Sequence, residues 1–510
     1  MKERDEKFIN LRPIVLSAIA FVGGIFCVYR SFLHGNWVTL IFAILLSFLL
    51  LLTTFIKTSV KKKTALWLCF IFFFFSLGYL LADYKIQQAK NAPYNGYENT
   101  FTGRIYKINQ TSYGTFVYLD GLSLQDENMK SEAKLFIPNN MMPSKIDLGA
   151  VIKCEAKIVN RILNDDISNE VFLGVHYELA NLQNISVIDF EADFYELVYL
   201  KARTFIKQNL SDEGRGIALA LILGDTSYIT TSNLENYRFA GIAHVFAISG
   251  LHMGIVVSIF TYLAKKLKTK RIITPFIILI PAFIYCGVCG FRPSTLRAFI
   301  MSAVTVIANF CGFKKDNLSS SALAGLLILI ISPFYLFDYG FKLSFLAVSA
   351  IFALCPLFIR HSEPLKIVGE PLSVSLSAQL GTLPVLCKMS GYTSIISIFT
   401  NLIFVPVAVV IYVFTFICFC FSALVSSFIS GATVIMQAPD FLITVFNFLT
   451  AKIDFSIFAI PTDFGIFSIV WYVWLACISD LTNFTARQKI LITVFSLIAV
   501  FGGICLNTAL

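Results

Sequence analysis

The chain has 510 residues, of which 57% are hydrophobic and only 14% charged. A soluble domain carries about 25% charged residues, so composition excludes a purely soluble protein and indicates a polytopic membrane protein with a soluble part. The net charge of +9 is what Lys and Arg gathered in cytoplasmic loops produce, and it does not by itself imply a nucleic-acid partner.

Residues 1–82 hold three apolar stretches, at about 12–29, 37–56 and 65–82, each near the 20 residues a helix needs to cross a bilayer. The first is too long for a signal-peptide core and shows no clear cleavage site, so it reads as a retained transmembrane helix. Residues 83–192 are more polar. GRIYKI, TFVYLDGL, AKLFIP, VIKCEAKIV and VHYELANLQNISVI are short aromatic or β-branched runs separated by Gly, Asn, Asp and Pro. Five such strands predict a small β-barrel of OB type, with a sandwich fragment as the alternative. Acidic residues outnumber basic ones in this region, but Arg104, Lys107, Lys153, Lys157 and Arg161 form a candidate basic stripe for DNA. Residues 193–240 read as a helical connector, amphipathic over YELVYLKARTFIKQNL, lying on the membrane surface or packed on the barrel.

From residue 241 to 510 apolar runs return, near 242–264, 272–290, 294–311, 319–337, 341–359, 375–390, 395–425, 428–450, 465–480 and 489–507. The 395–425 run contains Pro406 and predicts one kinked helix or a helix with a re-entrant piece. Lysine clusters at 57–63, 265–271 and 314–315, with Arg360 and Lys366, fall on one side if every run spans. That side is the cytoplasm, which places residues 83–210 outside. Of 12 cysteines only Cys154 lies in the soluble stretch, so no disulfide forms within it; Cys286 and Cys289 sit in an apolar run and read as packing.

Polar side chains inside apolar helices cost roughly 2.5–3.5 kcal/mol when charged and mark pathways or buried partners. LALILGDTS closes a helical run with Gly224 and Asp225. HVFAISGLHMG holds His244, Ser249, Gly250 and His252. The imidazoles are about 80° apart and share a face if the helix is continuous, while Ser249-Gly250 is a pair that kinks helices. The bland alternative is packing through small residues with each His bonded to a neighbour. GVCGFRPSTLRAFIMS carries Arg292, which can snorkel to the interface, and the deeper Arg297. DYGFKLSFLAV carries Lys342 and Ser344, with an i, i−4 pair to Asp338 as the structural alternative. SAQLGTLPV and NLIFVP add Gln379 and Asn401 beside prolines.

These strings, in this order, resemble the conserved core of the ComEC-type competence proteins. The run from ALILGDTS to NLIFVP covers about residues 215–410, and GIAHVFAISGLHMGI is its most specific part. The N-terminal helices and OB-like domain also look like that family. The resemblance implies an inner-membrane channel that carries single-stranded DNA into a bacterial cell during natural transformation, with an external DNA receptor and a cytoplasmic ATP-driven motor as partners. No P-loop occurs, so ATP hydrolysis by that route is not expected. Many members carry a metallo-β-lactamase-like domain with an H-x-H-x-D-H motif; the five histidines here do not form it. The chain is therefore expected to be a transport protein without catalytic residues, metal or cofactor. Asp225, His244, Ser249, Gly250, His252, Arg292, Arg297, Lys342, Ser344, Gln379 and Asn401 are its expected pathway residues. An intramembrane enzyme using Ser249 or the histidines, or a small-anion transporter, is the alternative.

Overall fold

A computed structural model of the chain describes residues 13–34, 59–90, 94–161, 169–312, 316–361, 368–479 and 488–496, apart from short breaks at 112, 125–126, 130, 144–145, 249, 395, 427–431, 462–463 and 490. The apolar run expected at 37–56 lies outside these residues, as does most of the one at 489–507. The chain divides into two compact units, residues 13–201 with 325–338, and residues 202–324 with 339–510.

In the first unit, α1 (Pro13–His34) packs against α2 (Ser59–Lys90). The crossing is close because glycine sits on both sides. A Cβ on Gly24 would lie 2.1 Å from the Phe75 carbonyl oxygen, and one on Gly78 would lie 2.4 Å from that of Phe21. Without a hydrophobic force between helices in lipid, such backbone approach is what supplies contact.

Five strands then close into a barrel: β1 (Glu98–Gln110), β2 (Gly114–Leu124), β3 (Glu132–Pro138), β4 (Ala150–Asn160) and β5 (Val175–Phe190). The strand order is β1-β4-β5-β3-β2, and β1 also pairs β2, so the sheet closes. β3 and β5 run parallel; the other pairs are antiparallel. This is the OB-like barrel read from the five strand strings. Alternation fills its interior: Ala133, Leu135 and Ile137 from β3 meet Ile152, Cys154, Ala156 and Ile158 from β4. Fully burying an aliphatic side chain of this kind contributes about 1.5–3 kcal/mol before entropy is counted. One helical turn, Asn169–Phe172, precedes β5.

The second unit is helical. The connector becomes α3 (Phe194–Asn209), which begins in the first unit, then α4 (Asp212–Leu223) and α5 (Thr231–Phe239). Ser211 caps α4 by accepting from the Gly214 amide, and Thr230 caps α5 by accepting from that of Asn233. α4 is buried almost around its whole circumference, so it is a core element.

The remaining helices are α6 (Gly250–Lys266), α7 (Thr274–Val288), α8 (Pro293–Cys311), α9 (Asn317–Ile331, which also crosses between units), α10 (Tyr339–His361), α11 (Gly369–Ser390), α12 (Ser397–Val425), α13 (Gln437–Ala451) and α14 (Ser468–Ile478). Six segments of the described residues are long and apolar enough to cross a membrane: Cys69–Lys90, Ala243–Lys266, Pro293–Cys311, Tyr339–Arg360, Ser397–Val425 and Thr433–Ala451. Four shorter apolar helices accompany them. The chain is a membrane protein.

Two expectations resolve here. The Pro406 run is one continuous helix, α12, and not a helix with a re-entrant piece. The histidine segment is broken: a 3-10 turn, Ala243–Val245, is followed by non-helical residues 246–248 ahead of α6 (Gly250–Lys266). His244 and His252 therefore do not share one continuous helix face.

Candidate functional site

The motifs meet first at the end of α4. Gly224 takes φ +72°, terminating the helix in the left-handed region. Terminal carbonyls of a helix have no internal partner and form its negative end. Arg292, the N-cap residue of α8, donates from Nη1 to the Gly224 oxygen at 2.6 Å, and the Tyr285 hydroxyl of α7 donates to Ile222 at 3.1 Å. Arg292 is thus a clamp on a helix terminus. A Cβ on Gly224 would meet Ile248 Cδ1 at 2.8 Å. The Ile248 carbonyl in turn accepts from Ser294 Oγ at 3.0 Å. Asp225 closes a local turn, accepting from the Ser227 amide at 3.1 Å and its hydroxyl at 2.5 Å.

The break before α6 is held from α12. Thr400 Oγ1 donates to the Ala240 carbonyl at 2.5 Å, and Phe239 stacks on Tyr392 with ring centroids 4.9 Å apart. Gly241 adopts φ +74°, with its absent Cβ 2.3 Å from that of Ser397. His244 is exposed, its Nδ1 3.0 Å from the Gly241 oxygen. His252 is buried and lies edge-on to Tyr412, centroids 4.3 Å apart. Ser249 lies outside the described residues.

Arg297 on α8 is only 6% exposed. Its guanidinium lies over the Phe345 ring at 5.6 Å, and Nη1 is 3.6 Å from Met301 Sδ. Among the described residues no carboxylate lies within ion-pair distance of it, and Nε is buried without a hydrogen-bond partner. Gly250 faces it: a Cβ there would stand 3.8 Å from Arg297 Nη2. The structure therefore gathers Gly250, Arg297 and Phe345. Lys342 is half-buried with Nζ over the Tyr339 ring at 5.2 Å, and Ser344 is half-buried on the same helix, α10.

A second polar group joins α11 and α12. Asn401 Nδ2 is 3.4 Å from Ser375 Oγ, while Asn401 Oδ1 and Gln379 Nε2 are buried with no partner among the described residues. A buried amide atom left unmatched costs about 1–3 kcal/mol.

On the barrel the basic stripe is mostly engaged. Arg104 makes a two-point contact with Asp120, at 3.0 and 2.6 Å, and a third bond to Glu196 at 3.0 Å. Arg161 is buried against Glu170, 3.4 Å away. Lys107 lies over the Tyr118 ring at 4.4 Å, Lys157 is half-buried, and Lys153 points outward, exposed. Burial favours the neutral form of the Glu170 carboxyl. The hydrogen bonds from Tyr118 and Lys134 and the charges of Lys134 and Arg161 outweigh it and hold the carboxyl below its ordinary range.

Sequence reasoning missed the neighbours that matter to these groups. Tyr412 is a single aromatic position in an apolar run and carries no motif signal, and Phe345, though inside DYGFKLSFLAV, is one of many phenylalanines in apolar surroundings. On the barrel Phe116 and Phe136 are cross-strand partners with centroids 4.8 Å apart, and Lys134 Nζ lies 4.6 Å over Phe116. Their alternation with buried residues in TFVY and AKLF was the available signal.

A family model described as "Competence protein" matches residues 221–482. The chain is 31% identical over 233 residues to ComE operon protein 3 of Bacillus subtilis (strain 168), covering 45% of this chain and 29% of that protein. It is 31% identical over 184 residues to the uncharacterized protein MG316 of Mycoplasma genitalium (strain ATCC 33530 / DSM 19775 / NCTC 10195 / G37), covering 35% of this chain and 45% of that one. It is 30% identical over 162 residues to competence protein ComA of Neisseria gonorrhoeae, covering 29% and 22% respectively. The matches thus span less than half the length of each of these curated relatives. No solved structure matches the chain. The family match takes in just over half the chain and every membrane-helix position from Asp225 to Asn401 discussed above, and on that ground the chain belongs to the competence protein family.

Proposed function

We propose that the chain forms a passage in the cytoplasmic membrane of a bacterium, through which single-stranded DNA enters the cell during natural transformation. The observation that carries this reading is Arg297, a buried cation in a membrane helix with no carboxylate beside it among the described residues. Structural arginines in membranes pair with acids or carbonyls, as Arg292 does with Gly224. One that lacks such an acceptor suits a mobile anion, and the DNA backbone is the anion that competence requires. On the barrel, Phe116 and Phe136 offer faces for bases, each worth about 1–3 kcal/mol of stacking.

The proposed arrangement puts the barrel outside, by the lysine clusters, where an external DNA receptor delivers the strand. A cytoplasmic ATP-driven motor pulls it, and this chain makes or breaks no covalent bond. The test is uptake of labelled DNA in a deletion strain complemented with wild type or with Arg297→Ala and Lys342→Ala together. Uptake by the double variant should fall at least tenfold with membrane insertion unchanged. Equal uptake at equal protein level removes both residues from the pathway, and undiminished uptake in the deletion strain removes the function.

A further inference from the structure

We propose that Arg297 and the N-terminus of α6 form a station for one phosphate group. The inference rests on the DNA-passage reading and assigns it a specific contact.

The argument is one of sign. α6 (Gly250–Lys266) begins with the positive end of its dipole, equivalent to about half an elementary charge. Arg297 Nη2 lies 3.8 Å from where the Gly250 Cβ would be, so a full positive charge stands at that same end. Two like charges face each other in surroundings where an isolated ion is costly. Nothing of opposite sign among the described residues relieves them: the contacts of the Arg297 guanidinium there are the Phe345 ring and the Met301 sulfur, both soft and weak acceptors, and its Nε is buried with no acceptor among those residues. Residue 250 being glycine puts no side chain of its own beside the guanidinium; a Cβ there would also stand 3.9 Å from Ala298 Cβ. The missing member is an anion. A tetrahedral phosphate offers oxygens for the fork of a guanidinium and for a helix N-terminus together.

The contrast within α8 supports this. Arg292, five positions earlier in the chain, meets the negative end of α4 and is satisfied there by a carbonyl. Arg297 meets the positive end of α6. The same residue type is placed once to close a structure and once against a field of its own sign.

The test uses the full chain in a phosphate-free maltoside detergent, followed by thermal unfolding. Three probes are titrated against matched chloride: inorganic phosphate, a single-stranded dT20 oligonucleotide, and short-chain phosphatidylglycerol. A saturable rise in unfolding temperature is expected with phosphate and with dT20. It should be lost in Arg297→Gln. In Arg297→Lys, which keeps the charge but not the fork, about tenfold more ligand should be needed. If Arg297→Gln does not fold, the Lys variant decides alone. A peptide nucleic acid of the same sequence, lacking phosphates, should produce no rise. A response to phosphatidylglycerol and not to dT20 keeps the station but assigns it to a lipid headgroup. No response of wild type to any probe, or equal responses of wild type and the Lys variant, overturns it. Neither result bears on whether the deletion strain takes up DNA, so the station can fail while the passage stands.

Discussion

Arg292 shows how much a single side chain here depends on a distant partner. Its bond reaches Gly224, 68 positions away, and adds a donor from α8 to a helix end whose other carbonyls, of Leu219 and Ala220, are met locally by the Asp225 and Gly224 amides. Replacing it by alanine leaves the Gly224 carbonyl short of that donor and should destabilise the chain by about 1–3 kcal/mol. Arg292→Lys should recover part of that loss. The measurement is the unfolding midpoint of the detergent-solubilised protein; equal midpoints for wild type and the alanine variant would show the clamp to be dispensable. Gly224 should tolerate no side chain, since any residue there combines φ +72° with a 2.8 Å clash on Ile248. These polar side chains are thus separated by what they touch, not by type: Arg292 donates to a carbonyl and Asp225 accepts from Ser227, while Arg297, among the described residues, meets an aromatic ring and a thioether and no carboxylate.

At the scale of elements, the barrel carries its own pH response. His176 on β5 is buried with Nδ1 2.9 Å from Ser131 Oγ. Burial, and then the charge of Lys85, push its pKa down to about 4. The fold therefore favours the neutral ring. That contribution is fully present above the ordinary value of about 6.5, and it is lost as pH falls toward 4, up to about 3 kcal/mol. Glu170, held below its ordinary range, acts in the same direction at lower pH: its stabilisation is present above the unfolded carboxylate pKa and disappears as pH falls through the folded one. Amide exchange of residues 98–190 in the full chain, corrected for chemical exchange rates, should show protection falling between pH 7 and 5. His176→Gln should flatten that slope, and a flat slope in wild type would contradict the assignment. The five strands themselves were legible because alternation fixes which side chains face inward, as in AKLFIP. The break before α6 was legible only as a Ser-Gly pair. Its extent was not, because it is set by Thr400 and Ser397 on α12, far along the chain.

For the whole molecule the testable claim is sidedness. By the positive-inside rule the lysine clusters predict the barrel outside and the 265–271 turn inside. A cysteine introduced at the exposed Tyr113 should react with an impermeant maleimide in intact cells, and one at the exposed Lys268 only after lysis. The reverse pattern would invert the arrangement and place the barrel away from incoming DNA. Class and the identity of the polar strings come from the sequence alone, as does the expected sidedness, because hydropathy, charge bias and alternation are local properties that each segment carries with it. Which cations are already satisfied is decided only by tertiary structure. Arg104, Arg161 and Arg292 are held by Asp120, Glu170 and a backbone carbonyl, whereas Arg297 is set against a helix end of its own sign. A carbonyl or a dipole end has no letter in the sequence, and its position exists only once the helices have packed.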